Sequence, residues 1–345
     1  MRPRFATNCA RFLTLAVPIA LALPAFGVSC MTQSQMTSAE RTLLAQSAQM
    51  IGQNVEAGNA AAVRTQTIAS VAAQFDGIAT SIQNVNAFIQ HATLTVDGLY
   101  LLDATDLKAA QETQFFCGVA GSSLTVEVTI PGLPPGKYAF AVLHATGVKQ
   151  PQQISLVLQN DPPGSPDWKL AGFFTRPMTM SGHDGVWFWR QARDYAAKKQ
   201  LWPAWFYYQT AQSLLMPVDF ISSPNLQKLE KESEQSRPEV LPGQEPMRLT
   251  AGTQTFTITN VHAGEFSDQL DLIVTYSATP GLDAVTSRAQ VTAVMRALLQ
   301  QYPGLRDAFH GLWVYAATPG NQTPFALELP MNQIETSPSP TGQRS

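Results

Sequence analysis

Between residues 92 and 176 apolar and polar residues alternate in segment after segment, and this pattern limits what the chain can become more than any other. "SSLTVEVTIP" (122–131) sets Leu124, Val126, Val128 and Ile130 on one side against Thr125, Glu127 and Thr129 on the other, the period of a half-buried strand. "GKYAFAVLHA" (136–145), "QISLVLQN" (153–160) and "DWKLAGFFTR" (167–176) follow, and "ATLTVDGLYLL" (92–102) and "TQFFCGV" (113–119) precede it. Pro and Gly in the gaps, as in "GLPPG", mark tight reversals. The segments therefore predict an antiparallel meander.

Two helical stripes lie ahead of these strands. Thr37 and Glu40 have capping-box spacing, Leu44, Ala48, Ile51 and Val55 recur along one face, and Gly58-Asn59 supplies a stop. Ile68, Val71, Phe75, Ile78 and Ile82 predict a second amphipathic helix. Both stripes need a sheet to cover. The order of helices and meander, its closing pair "ISLVLQN…DWKLAGFF", and "VEAGNAAAVRTQTIASVAAQFDGI" (55–78), where one helix ends at Gly-Asn and another follows, resemble the nuclear-transport-factor-two-like superfamily. The resemblance covers residues 39–177 and implies a cone-shaped α+β domain with a pocket between helix and sheet. The superfamily includes ketosteroid isomerase, which uses an Asp base and a Tyr-based oxyanion hole, and many non-catalytic binding or assembly modules. Tyr138, Asp97 and Asp103 are the residue types available for such work, but none stands in a motif that maps onto the enzyme. They read instead as a sheet aromatic and as turn or strand-end residues.

Residues 178–232 hold four of the six tryptophans: Trp187, Trp189, Trp202 and Trp205. Ala192, Ala204 and Ala211, with Tyr195 and Tyr208 between them, resemble one tetratricopeptide unit, a helical hairpin closing at small residues. Pro203 suits the first turn of the second helix. Pro217 falls one residue later than that pattern expects, and no second unit follows. A lone hairpin cannot bury both faces, so its rings are expected to pack on neighbouring domains; the other reading makes them a surface for a partner or a sugar. Asp184 reads as a helix N-cap rather than as the orienter of His183. The remaining histidines, His91, His144, His262 and His310, are scattered, and GxSxG, GxGxxG and Walker sequences are absent. With Cys30 and Cys117 outside any CxxC, the sequence predicts no metal, no cofactor and no catalytic residue.

A linker over 233–246 leads to a domain over 247–334. There "RLTAGTQTFTITNVH" and "DQLDLIVTYSA" alternate as strands, "RAQVTAVMRALLQQY" (288–302) carries Val291, Met295, Leu298 and Tyr302 on one face, and "GLWVYAATPGNQTPFALELPM" (311–331) reads as a hairpin. This predicts a small ββαββ unit, and the fold class of the whole is α+β. The tail over 335–345, "ETSPSPTGQRS", has the composition of a disordered segment.

The first residues carry an address. Arg2, Arg4 and Arg11 accompany the apolar run "FLTLAVPIALALPAF" (12–26), which has the length of a secretory signal and two prolines, and predicts a signal peptide over 1–29. Two processing readings overlap. "AFG" (25–27) suits a soluble-protein signal peptidase; "GVSC" (27–30) resembles the lipobox of bacterial lipoproteins, with Gly27 where that pattern prefers Leu. The second makes Cys30 a lipid-bearing N-terminus followed by a polar tether over 30–38. The first leaves Cys30 an ordinary exported cysteine, able to pair with Cys117. Charged residues are only 14% and net charge is −3, without the basic stripe that nucleic-acid binding needs. The expected protein is thus exported to the periplasm or outer membrane of a bacterial envelope and anchored through a lipidated Cys30. It is expected to be non-catalytic, with another envelope protein as partner. The alternative is a small-molecule carrier or isomerase-like enzyme using the cone pocket.

Overall fold

In the computed structural model, residues 27–118, 121, 124–243, 245–320 and 324–335 are described. The signal segment through Phe26, and the tail beyond Glu335, lie outside the described residues. The chain enters as strand β1 (Ser29–Thr32) and turns into helix α1 (Ser38–Glu56). The capping box forms: Glu40 N donates to Thr37 Oγ1 at 3.2 Å, and Thr37 N donates to Glu40 Oε2 at 3.0 Å. Leu44, Ala48, Ile51 and Val55 are each 1% exposed or less, so the stripe read from the sequence is the buried face.

The single second helix expected from Ile68 to Ile82 is instead two, α3 (Ala69–Ala72) and α4 (Asp76–Ile89), and a further short helix, α2 (Ala60–Thr65), precedes them. The separation of α2 from α3 has a tertiary cause. Leu170 N donates to Gln66 O at 2.8 Å and Ile68 N donates to Leu170 O at 3.0 Å. These two residues answer a strand edge, and a helix through them would leave that edge unpaired.

All six expected strands form: β2 (Thr93–Asp103), β3 (Gln111–Gly118), β4 (Thr125–Leu133), β5 (Lys137–Thr146), β6 (Gln152–Asn160) and β7 (Trp168–Pro177). They do not form one meander. One antiparallel sheet has the order β1-β2-β5-β6-β7, while β3 and β4 fold away into a second sheet against its other face. Strand β5 shows why both faces are covered. Ala139, Ala141 and Leu143 meet the helices, while Tyr138, Phe140 and Val142 meet the second sheet. Residues 30–38, expected as a tether, begin as a paired strand in which Cys30 lies opposite Leu102. Val28 and Cys30 pack against the core between the sheets, and a disulfide joins Cys30 to Cys117 on β3, 87 residues away.

A two-strand reversal, β8 (Thr179–Met180) and β9 (His183–Asp184), delivers the chain to α5 (Gly185–Ala197) and α6 (Leu201–Leu215). Ala192, Ala204 and Ala211 are fully buried. Strand β10 (Ile221–Ser222) then joins the second sheet by pairing with β4. Helix α7 (Pro224–Gln235) buries Leu229 and Ser233, so the charged stretch before the linker is a packed third helix.

The C-terminal domain has one strand more than the ββαββ expected. "RLTAGTQTFTITNVH" turns back on itself at Gly252 (φ +62°), giving β11 (Met247–Ala251) and β12 (Gln254–Phe266) ahead of β13 (Gln269–Ser277). Helix α8 (Ala284–Gln301) and the short α9 (Leu305–Ala308) connect β13 to its parallel neighbour β14 (Gly311–Ala317), which pairs with β15 (Phe325–Pro330). A parallel pair needs such a crossover. The core of this domain is continuous with that of α5, α6 and α7. The architecture is mixed α+β, and among the described residues no helix is long and apolar enough to cross a membrane.

Candidate binding cleft

The space between α1 and the first sheet is filled by side chains. Leu44, Ala48, Ile51 and Val55 meet Ala139, Ala141, Leu143 and Ile154, and the approach is close enough that a Cβ on Gly52 would lie 2.8 Å from Leu143 Cδ2. Tyr138 faces the other way, between the sheets, and its hydroxyl donates to Pro134 O at 3.0 Å. Asp103 accepts from Thr105 N and Oγ1 at 3.0 and 2.6 Å, and Asp97 is exposed, 3.8 Å from His144 Nδ1. The groups that carbon-acid chemistry requires therefore do not converge. A cavity of about 320 Å³ remains near the start of α1, walled by Leu43, Leu44, Leu101 and Trp168. Polar groups in its lining are engaged locally. Glu40 serves Thr37, and Asn160 bonds Gly164 N, Ser165 O and Asp167 O at 2.7, 2.7 and 3.1 Å.

The four tryptophans have four different environments. Trp202 is 5% exposed and stacks on Tyr302 at 4.2 Å, joining α6 to the C-terminal domain. Trp189 donates its indole N–H to Glu232 of α7 at 2.7 Å, under the Arg193 guanidinium 4.5 Å from its ring. Glu232 also accepts from Arg193 Nε and Nη2 at 2.7 and 2.8 Å. Burial would raise its carboxyl, but these hydrogen bonds from Arg193 and Trp189 prevail and hold it below the ordinary range. Trp205, half-buried, lies under Arg237 at 5.5 Å. Trp202 also edges an opening of about 490 Å³ beside Pro238 and Tyr302, and Trp187 borders another, beside His183 and His310.

That opening is a cleft of about 480 Å³ between the helix pair and the C-terminal domain. On one side, the β8–β9 reversal runs through Ser181 (φ +49°) and Gly182 (φ +76°) and lays His183 flat on Trp187, with 3.7 Å between ring centroids and 6° between planes. Asp184 does cap α5, accepting from Trp187 N at 2.7 Å, so the His183-Asp184 pair is divided between two tasks. On the other side, the left-handed Ser267 and Asp268 turn β12 into β13, and α9 brings Asp307 and, just past its end, His310. Phe188, Tyr207 and Phe309 form an apolar floor. Tyr207 donates to Ala308 O at 2.6 Å, and burial pushes its phenol far above the ordinary range.

Behind His310 sits a carboxylate that the scattered histidine positions did not foretell. His310 Nδ1 is 3.4 Å from Oδ1 of Asp271, whose side chain is only 4% exposed, and Trp313 Nε1 donates to Asp271 Oδ2 at 2.9 Å. Nε2 of His310 lies on the far side of the ring. Asp271 Oδ1 and Ser181 Oγ are buried without a hydrogen bond to any described residue. Since Ser181 Oγ bonds neither imidazole, the nucleophile–base contact of a hydrolase is not formed. Among the described residues, no group of three or more His, Cys, Asp or Glu is placed to hold a metal. The signal available in the sequence was Asp271 itself, a charged residue inside the otherwise apolar run "LDLIVTY".

The cleft is tied to the first domain. Lys149 Nζ meets Asp268 Oδ2 at 2.6 Å, Gln150 Nε2 donates to Glu265 Oε1 at 3.1 Å, and Ser181 N donates to Glu265 Oε2. No family model, no curated protein and no solved structure matches this chain.

Proposed function

We propose that the chain is an exported cell-envelope protein that works by binding or assembly, with the cleft between the helix pair and the C-terminal domain as its recognition site. The contrast between two cavities carries this reading. In the cleft, the His183 imidazole, the Asp307 carboxylate and Ser181 Oγ have no hydrogen-bond partner among the described residues, whereas the polar lining of the cavity near α1 is committed to local turns. Polar groups converging over an apolar floor at a domain junction are the usual form of a ligand site. Pull-downs from the native envelope test it: a partner held by the wild type should be lost by a His183→Ala/Trp187→Ala variant that still folds. A partner retained equally by both proteins overturns the assignment.

The first domain fits the nuclear-transport-factor-two-like cone in having a long helix across a bulged antiparallel sheet, and α5 with α6 fits a tetratricopeptide-like hairpin in its buried alanine seam. The apolar cavity of about 320 Å³ near α1 is what favours the alternative, a small-molecule carrier.

Export is supported by the N-terminal signal pattern and by the Cys30–Cys117 disulfide, a bond that persists in oxidising compartments. A lipid thioether on Cys30 needs the same sulfur, so the anchor and the disulfide exclude one another. We assign the sulfur to the disulfide, which replaces a lipidated Cys30 by a soluble exported chain processed after Gly27. Intact mass should show a chain starting at Val28 without free thiols; an acylated Cys30 refutes this processing.

A further inference from the structure

The opening beside Trp202 is a groove of a different kind from the recognition cleft. Three segments line its volume of about 490 Å³: Trp202 and Pro203 at the start of α6, Pro238 and Val240 after α7, and Tyr302 and Pro303 between α8 and α9. Trp202 and Tyr302 stack at 4.2 Å, and the half-buried Tyr302 is the ring of the pair more open to the groove. Leu201 and Val240 on its rim leave large apolar side chains 39% and 50% exposed. Aromatic-lined apolar grooves are the form of surface that receives a polyproline II segment.

The chain itself carries such a segment, and it leaves the fold beside this groove. Arg306, in the single turn of α9, donates its N–H to Pro303 O at 3.1 Å, while its guanidinium donates to Met331 O and Ile334 O. Ile334, 2% exposed, is thereby fixed one arginine side chain away from the groove lining. Past Glu335 the sequence continues for ten residues, "TSPSPTGQRS" (336–345). Extended, ten residues reach about 33 Å, several times the length of that side chain. Pro338 and Pro340 hold φ near the value of polyproline II, in which residues two apart rise about 6 Å. Prolines also reduce the conformational freedom that docking has to remove. Arg344, four residues further on, offers a cation to a rim that carries the exposed Glu239, a carboxylate with no ion pair among the described residues.

We propose that this groove receives the chain's own segment 336–345, with Pro338 and Pro340 against Tyr302 and Arg344 toward Glu239. The docked segment covers the apolar rim left open by Leu201 and Val240. It also straps together the start of α6, the stretch after α7 and the α8–α9 connection, where the helix pair meets the C-terminal domain. None of this depends on the recognition cleft.

Photocross-linking in the full mature protein tests the proposal. p-Benzoylphenylalanine is introduced at the exposed Val240, the protein is irradiated at low concentration, and the joined peptides are mapped by mass spectrometry. Intramolecular cross-links to residues 336–345 are expected. Pro338→Ala/Pro340→Ala should lower their yield severalfold at an unchanged melting temperature. A second arm is calorimetric titration with the acetylated peptide TSPSPTGQRS. It should bind the full-length Pro338→Ala/Pro340→Ala variant saturably and the wild type at least tenfold more weakly, because a tethered segment competes at an effective concentration in the mM range. Cross-links that miss 336–345, that join two copies of the chain, or that capture another polypeptide in its place overturn the proposal. So does a cross-link yield unchanged by the proline substitutions, or a peptide that binds both proteins equally or neither.

Discussion

Deleting the Cys30–Cys117 disulfide should destabilise the first domain by about 4–5 kcal/mol and leave the C-terminal core nearly untouched. The bond closes a loop between residues 87 apart, and the chain-entropy relation for such a loop gives about 15 cal/mol/K, or about 4.6 kcal/mol at 25 °C. Cys117 is fully buried, so replacing it by Ala adds a small cavity term of about 1 kcal/mol. Residual structure in the unfolded chain works in the opposite direction, which is why measured values usually fall at about 2–5 kcal/mol. The perturbation is the Cys30→Ala/Cys117→Ala pair, which avoids a stray thiol. Urea denaturation followed by near-ultraviolet circular dichroism reads the effect. With m near 2 kcal/mol/M, the midpoint of the first domain should fall by roughly 2–2.5 M. Helices α5 and α6 with the C-terminal sheet have their own core, which the disulfide does not touch, and they serve as an internal control. A shift below about 1 kcal/mol, or an equal shift in both transitions, would refute the argument that this bond restrains the unfolded first domain. Two titratable thiols in the native protein would refute the bond itself.

Ala204→Leu should overpack the α5–α6 seam, where Ala204 is fully buried, and cost about 1–3 kcal/mol in chemical denaturation; wild-type stability would remove the close-contact assignment. Trp202→Ala should cost about 3–5 kcal/mol, because that ring is 5% exposed against Tyr302, while the half-buried Trp187 should be replaceable at smaller cost. Acrylamide should accordingly quench Trp187 in preference to Trp202, read from single-tryptophan variants, and the reverse order would contradict the placement of both rings. Glu232 has a folded-state pKa below its ordinary value, so its contribution is full above the unfolded value near 4.5 and is lost as pH falls through the folded value. Glu232→Gln should remove that part of the acid sensitivity; an unchanged profile of stability between pH 5 and about 3 would count against the Arg193–Glu232–Trp189 cluster.

Much of the local structure is legible in the sequence because burial imposes a period on it. The stripe from Leu44 to Val55, the alternation along β5 and β6, the Thr37–Glu40 cap and the alanines at 192, 204 and 211 all appear where spacing puts them. Each is decided within one helix, one strand or one pair of consecutive helices. The candidate site was far less legible: Trp187 was visible as one of a crowd, but neither His310 nor Asp271 carried a mark that tied it to His183.

By itself, the sequence determined which faces had to be covered and which segments are helical or extended. Only the tertiary structure decided what covers them. Period two along β3 and β4 is the same whether they continue a meander or fold back as a second sheet, and it was β10, arriving from beyond α6, that gave them a separate partner. The helical spacing from Ile68 to Ile82 was real, yet the chain there forms two helices, and it is two hydrogen bonds to Leu170 at Gln66 and Ile68 that keep the first of them apart from α2. Cys30 had two chemical fates on paper, and its closeness to Cys117 in space, which a separation of 87 in sequence conceals, joined it to that residue. The cleft is the extreme case. Its walls come from segments that meet only after two cores have formed, and a contact between residues so far apart leaves no period, cap or turn residue in the chain that makes it.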